Sequence, residues 1–199
     1  WAEDPITSDA RITAAAWAAL ADPAGTWSGQ FALVFEIAMG GRSAAVAVAG
    51  WRADGLPQLE VIRADQGSAW VPAYVAKVAG QHGGAAVVAA NDYASNRAVF
   101  ADLEQLGVKV TPVGLTETAA ACGWLEQAVQ AGEVRHLGDE VLTDSMAGAS
   151  TAPVGDGAWR WARSASQRSA VDICPIIAAT NAGHMLRSVP PVYADFDFL

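Results

Sequence analysis

Hydrophobic and polar positions along the chain sort into elements of two different periods. Ile12 to Asp22 (ITAAAWAALAD) has helix-forming composition and stops at Pro23-Ala24-Gly25, which predicts a short lead-in helix. Phe31 to Ile37 (FALVFEI) and Ser43 to Trp51 (SAAVAVAGW) are almost unbroken apolar runs, as expected of buried strands. The turn Met39-Gly40-Gly41-Arg42 between them makes the pair a hairpin. Leu56 to Ala64 (LPQLEVIRA) alternates apolar and polar residues, the pattern of an antiparallel strand with one wetter face, so the opening reads as a three-stranded meander. The period then lengthens. Helices are predicted over Trp70 to Gln81, Ser95 to Leu106, Thr116 to Ala131 and Asp139 to Ala149, with strands at Ala85 to Ala90 and Val108 to Val113 between the first three. Thr116-Glu117 and Gly132 supply start and stop signals for the longest helix. Val154 to Trp161 carries a Gly-Asp-Gly turn between two candidate strands, and Asp172 to Leu186 resumes as a helix with Pro175 in its first turn.

A meander followed by strands alternating with helices is an α/β layout: a central mixed β-sheet flanked by helices, with an extra β-hairpin near residues 152–163. It matches the ribonuclease H-like plan. One domain is expected over residues 1–199, with a lead-in helix and linker over 1–28 and an extended tail over 188–199 after Pro190-Pro191. Composition agrees, since 199 residues that are 52% hydrophobic and 17% charged can bury a substantial core, which excludes disorder. The formal charge of -9 works against binding polyanions by bulk attraction, so any nucleic-acid contact must be local. Cys122 and Cys174 form neither a C-x-x-C nor a zinc-type pattern, and a reducing, cytoplasmic setting fits them. No apolar run reaches the ~20 residues needed to span a bilayer, and the acidic start Trp1-Ala2-Glu3-Asp4 is unlike a signal peptide; no membrane association or secretion is expected. A chain that begins at Trp1 reads as a fragment with a segment upstream. Lys77 and Lys109, its two lysines, fit no phosphate-binding G-x-x-x-x-G-K-[ST] loop, so any ATP-driven motor lies elsewhere.

Three places carry candidate chemistry. Glu36 is an acid inside an apolar strand, where a carboxylate is costly to bury without a partner. It reads as a solvated strand-end residue, as a partner of Arg42, or as a metal ligand. Asn91-Asp92 follows a strand directly; there it begins a turn and caps the next helix, or it serves a site at the strand ends. Asp172 opens the last helix as a capping acid or as a ligand. In a ribonuclease H-like sheet these positions converge on one edge of the central strands. Acids there could hold two Mg²⁺ or Mn²⁺ ions about 3.5–4 Å apart, binding both the attacking water and the leaving oxygen of a phosphodiester. Hard oxygen ligands suit such ions without a His or Cys cluster. Cys122, Cys174, His82 and His184 have no partner at ligand spacing, while His136, in a predicted turn, is a weaker candidate to approach the site.

Positive charge gathers late in the chain. From Gly157 to Arg187 there are Arg160, Arg163, Arg168 and Arg187 against one acid, Asp172, which makes a candidate phosphate track. Trp159 and Trp161 flank Arg160, so on a hairpin both indoles face one side, either to press on a DNA backbone or to pack inside.

In order and spacing these segments resemble the C-terminal nuclease domain of phage large terminase subunits. The likeness runs from about Ile12 to Leu186 through ITAAAWAALADP, FALVFEIAMGGRSAAVAVAGWRADGLPQLEVI, AAVVAANDYAS, LGVKVTPV, ACGWLEQAVQAGEVRHLGD and WRWARSASQRSAVDICPIIAATNA. The resemblance implies a divalent-metal endonuclease that cuts concatemeric double-stranded DNA in the host cytoplasm. It also implies an ATPase domain upstream in the same polypeptide, with the portal and the small terminase subunit as partners and a transient place at the procapsid portal. Carried across, Glu36 stands where the family usually has Asp, and Asp172 matches the acid before the last helix. Asn91 stands at the family's second Asp and Asp92 where Pro is common, so either Asp92 takes over or Asn91 ligates through its neutral oxygen. Arg42, Arg160, Arg163 and Arg168 are the expected DNA contacts. These departures also admit a catalytically impaired module that docks on DNA or the portal, and a junction resolvase would keep the same acids.

Overall fold

The computed structural model describes residues 11–81, 84–163 and 171–190. Among these, six strands form one sheet: β1 (Ser28–Ile37), β2 (Ser43–Trp51), β3 (Pro57–Gln66), β4 (Ala85–Asn91), β5 (Thr111–Val113) and β6 (Arg135–His136), in the order β5-β4-β1-β2-β3-β6. β1 to β3 are an antiparallel meander, while β4 pairs parallel to β1 and β5 parallel to β4. β1 is covered on both faces, which is why its sequence is an apolar run rather than an alternating one. Its side chains still divide by parity. Phe31, Leu33, Phe35 and Ile37 enter one core, with Val71, Val75 and Val78 of α2 (Val71–Ala79); Ala32 and Val34 enter the other. Glu36 shares the parity of Ala32 and Val34.

The second core holds α1 (Ala14–Ala18), α5 (Leu115–Ala131), α6 (Glu140–Gly148) and α7 (Cys174–Leu186). α7 is apolar nearly all round because it is buried nearly all round, lying against β1, β2 and α5. Small residues on the sheet, Ala32, Ala47 and Ala49, admit it. The expected hairpin is present as β7 (Thr151–Gly155) and β8 (Ala158–Trp161), a two-stranded sheet of its own. Among the described residues no helix is long and apolar enough to cross a membrane.

Three elements differ from the sequence reading. The helix expected over Ser95 to Leu106 is divided into α3 (Ala94–Arg97) and α4 (Phe100–Gln105) at Val99, whose φ of -107° and ψ of 0° leave the helical region. The Asn96 side chain binds α3 down onto the end of β1. The strand expected at Val108 to Val113 is cut to three residues at the sheet edge, where Pro112 lacks an N–H to donate. The lead-in helix is also shorter than expected: after Thr13 caps its start it stops at Ala18, and Ala21 instead bridges to His136.

Candidate active site

Strand parity and one helix start build the site. Glu36, near the end of β1, is fully buried. Its Oε2 accepts a hydrogen bond of 2.9 Å from Asn96 Nδ2, and its Oε1 lies 2.9 Å from the Arg163 guanidinium, without hydrogen-bond geometry to any group among the described residues. Burial pushes the Glu36 carboxyl up to about 7, against the downward pull of Arg163 and of hydrogen bonds from Asn96 and Asn91; the charge of Asp172 adds to the rise. Asn96, on α3, is a three-way clamp. Besides Glu36 it donates to the Asn91 carbonyl at 2.8 Å and accepts from the Ile37 N–H at 2.7 Å.

The two halves of Asn91-Asp92 separate. Asn91 ends β4 on the face of Ala89 and is buried, its Oδ1 accepting from Thr118 Oγ1 at 2.8 Å and from Asn181 Nδ2 at 3.1 Å. Asp92 is one step further on, exposed, and paired with Arg97, which holds its carboxyl below the usual range. Asn91 is therefore the residue beside Glu36, and Asp92 is a turn residue outside.

Asp172 lies one residue before the N-cap Ile173 of α7, and its Oδ1 accepts from the Cys174 N–H at 2.9 Å, satisfying the first N–H of the helix. Its charge acts on Glu36 and, after burial and Glu36, on the Cys174 thiol, which is driven far up. Asp172 borders an open cleft of about 920 Å³ lined also by Arg42, Asp65 and Asp144. Among the described residues no three His, Cys, Asp or Glu side chains come together as a metal cluster.

Of the expected DNA contacts, Arg42 is exposed at this cleft. Arg160 is half-buried and donates to the Trp161 carbonyl, while Arg163 turns inward to Glu36 with 11% of its side chain exposed. Arg168 lies outside the described residues, as does His82. Trp159 and Trp161 do share a face, but it is the core face. Their rings meet edge-on at 4.9 Å, and their indole N–H groups donate to Glu126 and Thr180, which leaves neither free to press on DNA. His136 is also internal, stacked on Trp17 at 4.2 Å and donating from Nε2 to the Trp17 carbonyl. Asn96, Asn181 and the inward role of Arg163 had no sequence signal beyond polar residues inside apolar segments.

Neither protein-family models nor curated protein sequences match the chain. Solved structures do. The HK97 bacteriophage large terminase superposes with a TM-score of 0.70 at 15% identity, over 89% of this chain and 43% of that one. This chain thus spans less than half the length of that terminase. The large terminase nuclease of thermophilic phage G20c with bound cobalt gives 0.61 at 12% identity over 90% and 98% of the two chains. The Thermus phage P74-26 large terminase nuclease domain gives 0.54 at 14% identity over 83% of each. With a nuclease domain matched almost end to end, the chain has the ribonuclease H-like fold of phage large-terminase nuclease domains.

Proposed function

We propose that this chain is the metal-dependent endonuclease domain of a DNA-packaging terminase. The observation that carries the reading is a buried acid, Glu36 of β1, tied through Asn96 to Asn91 at the end of β4, with Asp172 lining an open cleft just before α7. Catalytic groups in open α/β sheets collect at such strand ends.

The donor set fits a divalent ion. Glu36 Oε1 is a buried oxygen without a hydrogen bond, and Asp172 presents a second carboxylate at the cleft. Hard oxygen donors of this kind select Mg²⁺ or Mn²⁺, and G20c terminase nuclease structures with bound magnesium, cobalt and zinc support a divalent ion here too. A bound ion would polarise the phosphate and lower the pKa of an attacking water. The chain's own residues do the rest: Asn96 fixes the orientation of Glu36, Thr118 and Asn181 fix Asn91, and Arg42 offers positive charge at the cleft mouth. An upstream ATPase domain, the portal and the small terminase subunit are the partners this reading entails, and double-stranded DNA in the host cytoplasm is the substrate.

Plasmid nicking in Mn²⁺ tests it. Cleavage should vanish with EDTA and fall at least a hundredfold in Asp172→Ala; cleavage indifferent to that substitution would sink the assignment.

A second reading has its own observation. Glu36 is sealed by burial and neutralised by Arg163, and Asn91 brings no charge, as in an impaired module that docks on DNA or the portal. Calorimetric titration with Mn²⁺ separates the two: this reading gives no uptake, and the nuclease reading gives at least one ion.

A further inference from the structure

Glu36 has two oxygens, and each already meets a neighbour. Oε2 accepts from Asn96 at 2.9 Å, and Asn96 is itself fixed on the Asn91 carbonyl and the Ile37 N–H. That leaves Oε1 for a cation, and the Arg163 guanidinium lies 2.9 Å from it. A divalent ion sits about 2.0–2.6 Å from a carboxylate oxygen, so an ion and this guanidinium would press two like charges against one atom. Glu36 is fully buried and the Arg163 side chain is 11% exposed, which leaves little water to weaken the repulsion. The two cannot share Oε1.

Arg163 is the neighbour able to give way. Asn96 belongs to α3 and is bonded at three points around the ends of β1 and β4. Arg163 comes from beyond β8, in a two-stranded sheet separate from the central one. Its side chain donates to the Ile37 carbonyl and to Ser95 Oγ and lies 4.1 Å over the Tyr93 ring, while Glu36 Oε1 takes no hydrogen bond among the described residues. Its hold on that oxygen is charge alone, and turning the side chain out breaks no strand pairing. The guanidinium also lines a small internal space with Asn91, Tyr93 and Asn181, so its departure enlarges that space beside Glu36.

We infer that Arg163 is a removable lock on Glu36: the guanidinium and a divalent ion are alternative partners of Oε1, and the chain takes up an ion at Glu36 only as Arg163 turns away. The ion rests on the nuclease reading above; the exclusion rests on the contact at Oε1. Because the unlocked form is a fraction of the population, the affinity for the ion is lowered by that fraction. The lock joins the two readings above. With Arg163 seated the chain is the impaired module, and with Arg163 released its buried acid is available.

The test is calorimetric titration of Mn²⁺ into the full 199-residue chain and its variants at pH 8. Arg163→Gln should tighten binding about tenfold or more, and adding Glu36→Gln should cancel that gain. Binding no tighter in Arg163→Gln, or a gain that survives Glu36→Gln, overturns the lock. A second measurement needs no variant. Phenylglyoxal labels accessible guanidinium groups, and mass spectrometry of the unaltered chain should show Arg163 labelled several-fold faster when Mn²⁺ is present. Labelling indifferent to saturating Mn²⁺ overturns the lock even if Arg163→Gln fails to fold. Mn²⁺ gained through Glu36 by a chain that cuts no plasmid supports the lock and contradicts the nuclease reading. Plasmid nicking in Mn²⁺ with Arg163 labelled at an unchanged rate contradicts the lock and keeps the nuclease reading.

Discussion

Asn96 shows how much of the site hangs on one side chain. Its amide satisfies Glu36, the Asn91 carbonyl and the Ile37 N–H at once, all inside the protein. Asn96→Ala leaves those groups without partners at about 1–3 kcal/mol each, partly recovered by relaxation, so urea unfolding should report a loss of about 2–4 kcal/mol. A loss below 1 kcal/mol would contradict the clamp. Glu36 adds a pH dependence of definite sign. Its carboxyl is raised from 4.5 to about 7 on folding, so the folded state binds more protons between those values. The stabilisation is complete below pH 4.5 and is lost as pH rises through 7, an effect of about 3 kcal/mol. Urea midpoints should therefore decline from pH 5 to 8, and Glu36→Gln should remove that decline; a variant that keeps it would show another group responsible. Glu36 was visible in the sequence because a charge in an apolar strand demands an explanation. The choice between Asn91 and Asp92 was not, although parity settles it: Val87, Ala89 and Asn91 share one face, and Asp92 leaves the strand. Asn96 and the inward pairing of Arg163 escaped because their partners are distant in sequence.

At the scale of elements, the site depends on how closely α7 approaches the sheet. Gly183 makes that possible, since a Cβ there would come within 2.3 Å of the Trp124 ring and 2.8 Å of Leu59 Cδ2. Alanine is the better helix former by about 1 kcal/mol, yet overpacking of this kind costs about 1–3 kcal/mol. Gly183→Ala should thus lower the urea midpoint, and a raised midpoint would mean that α7 has room to spare. Strands with strong apolar runs and the long helix with its Gly132 stop were legible because local pattern and burial agree there. The division of α3 from α4 was not, because a tertiary bond from Asn96 competes with a continuous helical pattern. Nor was β6, too short to carry a period. For Trp159 and Trp161 alternation foretold the shared face but not which side of the hairpin was the core.

On the proposed nuclease reading, a molecule with a charge of -9 approaches DNA against its own field. That reading then leans on Arg42, which is exposed at the cleft. Arg42→Ala should weaken duplex binding a few-fold and reduce the salt slope of log K by about 1, as removal of one phosphate contact does. An unchanged slope would place the DNA path elsewhere. The mixed sheet flanked by helices was legible at this scale because a meander followed by α/β units leaves few arrangements.

A crystal of the chain soaked in Mn²⁺ and measured at the manganese absorption edge tests the central claim most directly. The account predicts an anomalous peak about 2.0–2.3 Å from a carboxylate oxygen of Glu36 or Asp172. A saturated crystal with no peak at either carboxylate would contradict it.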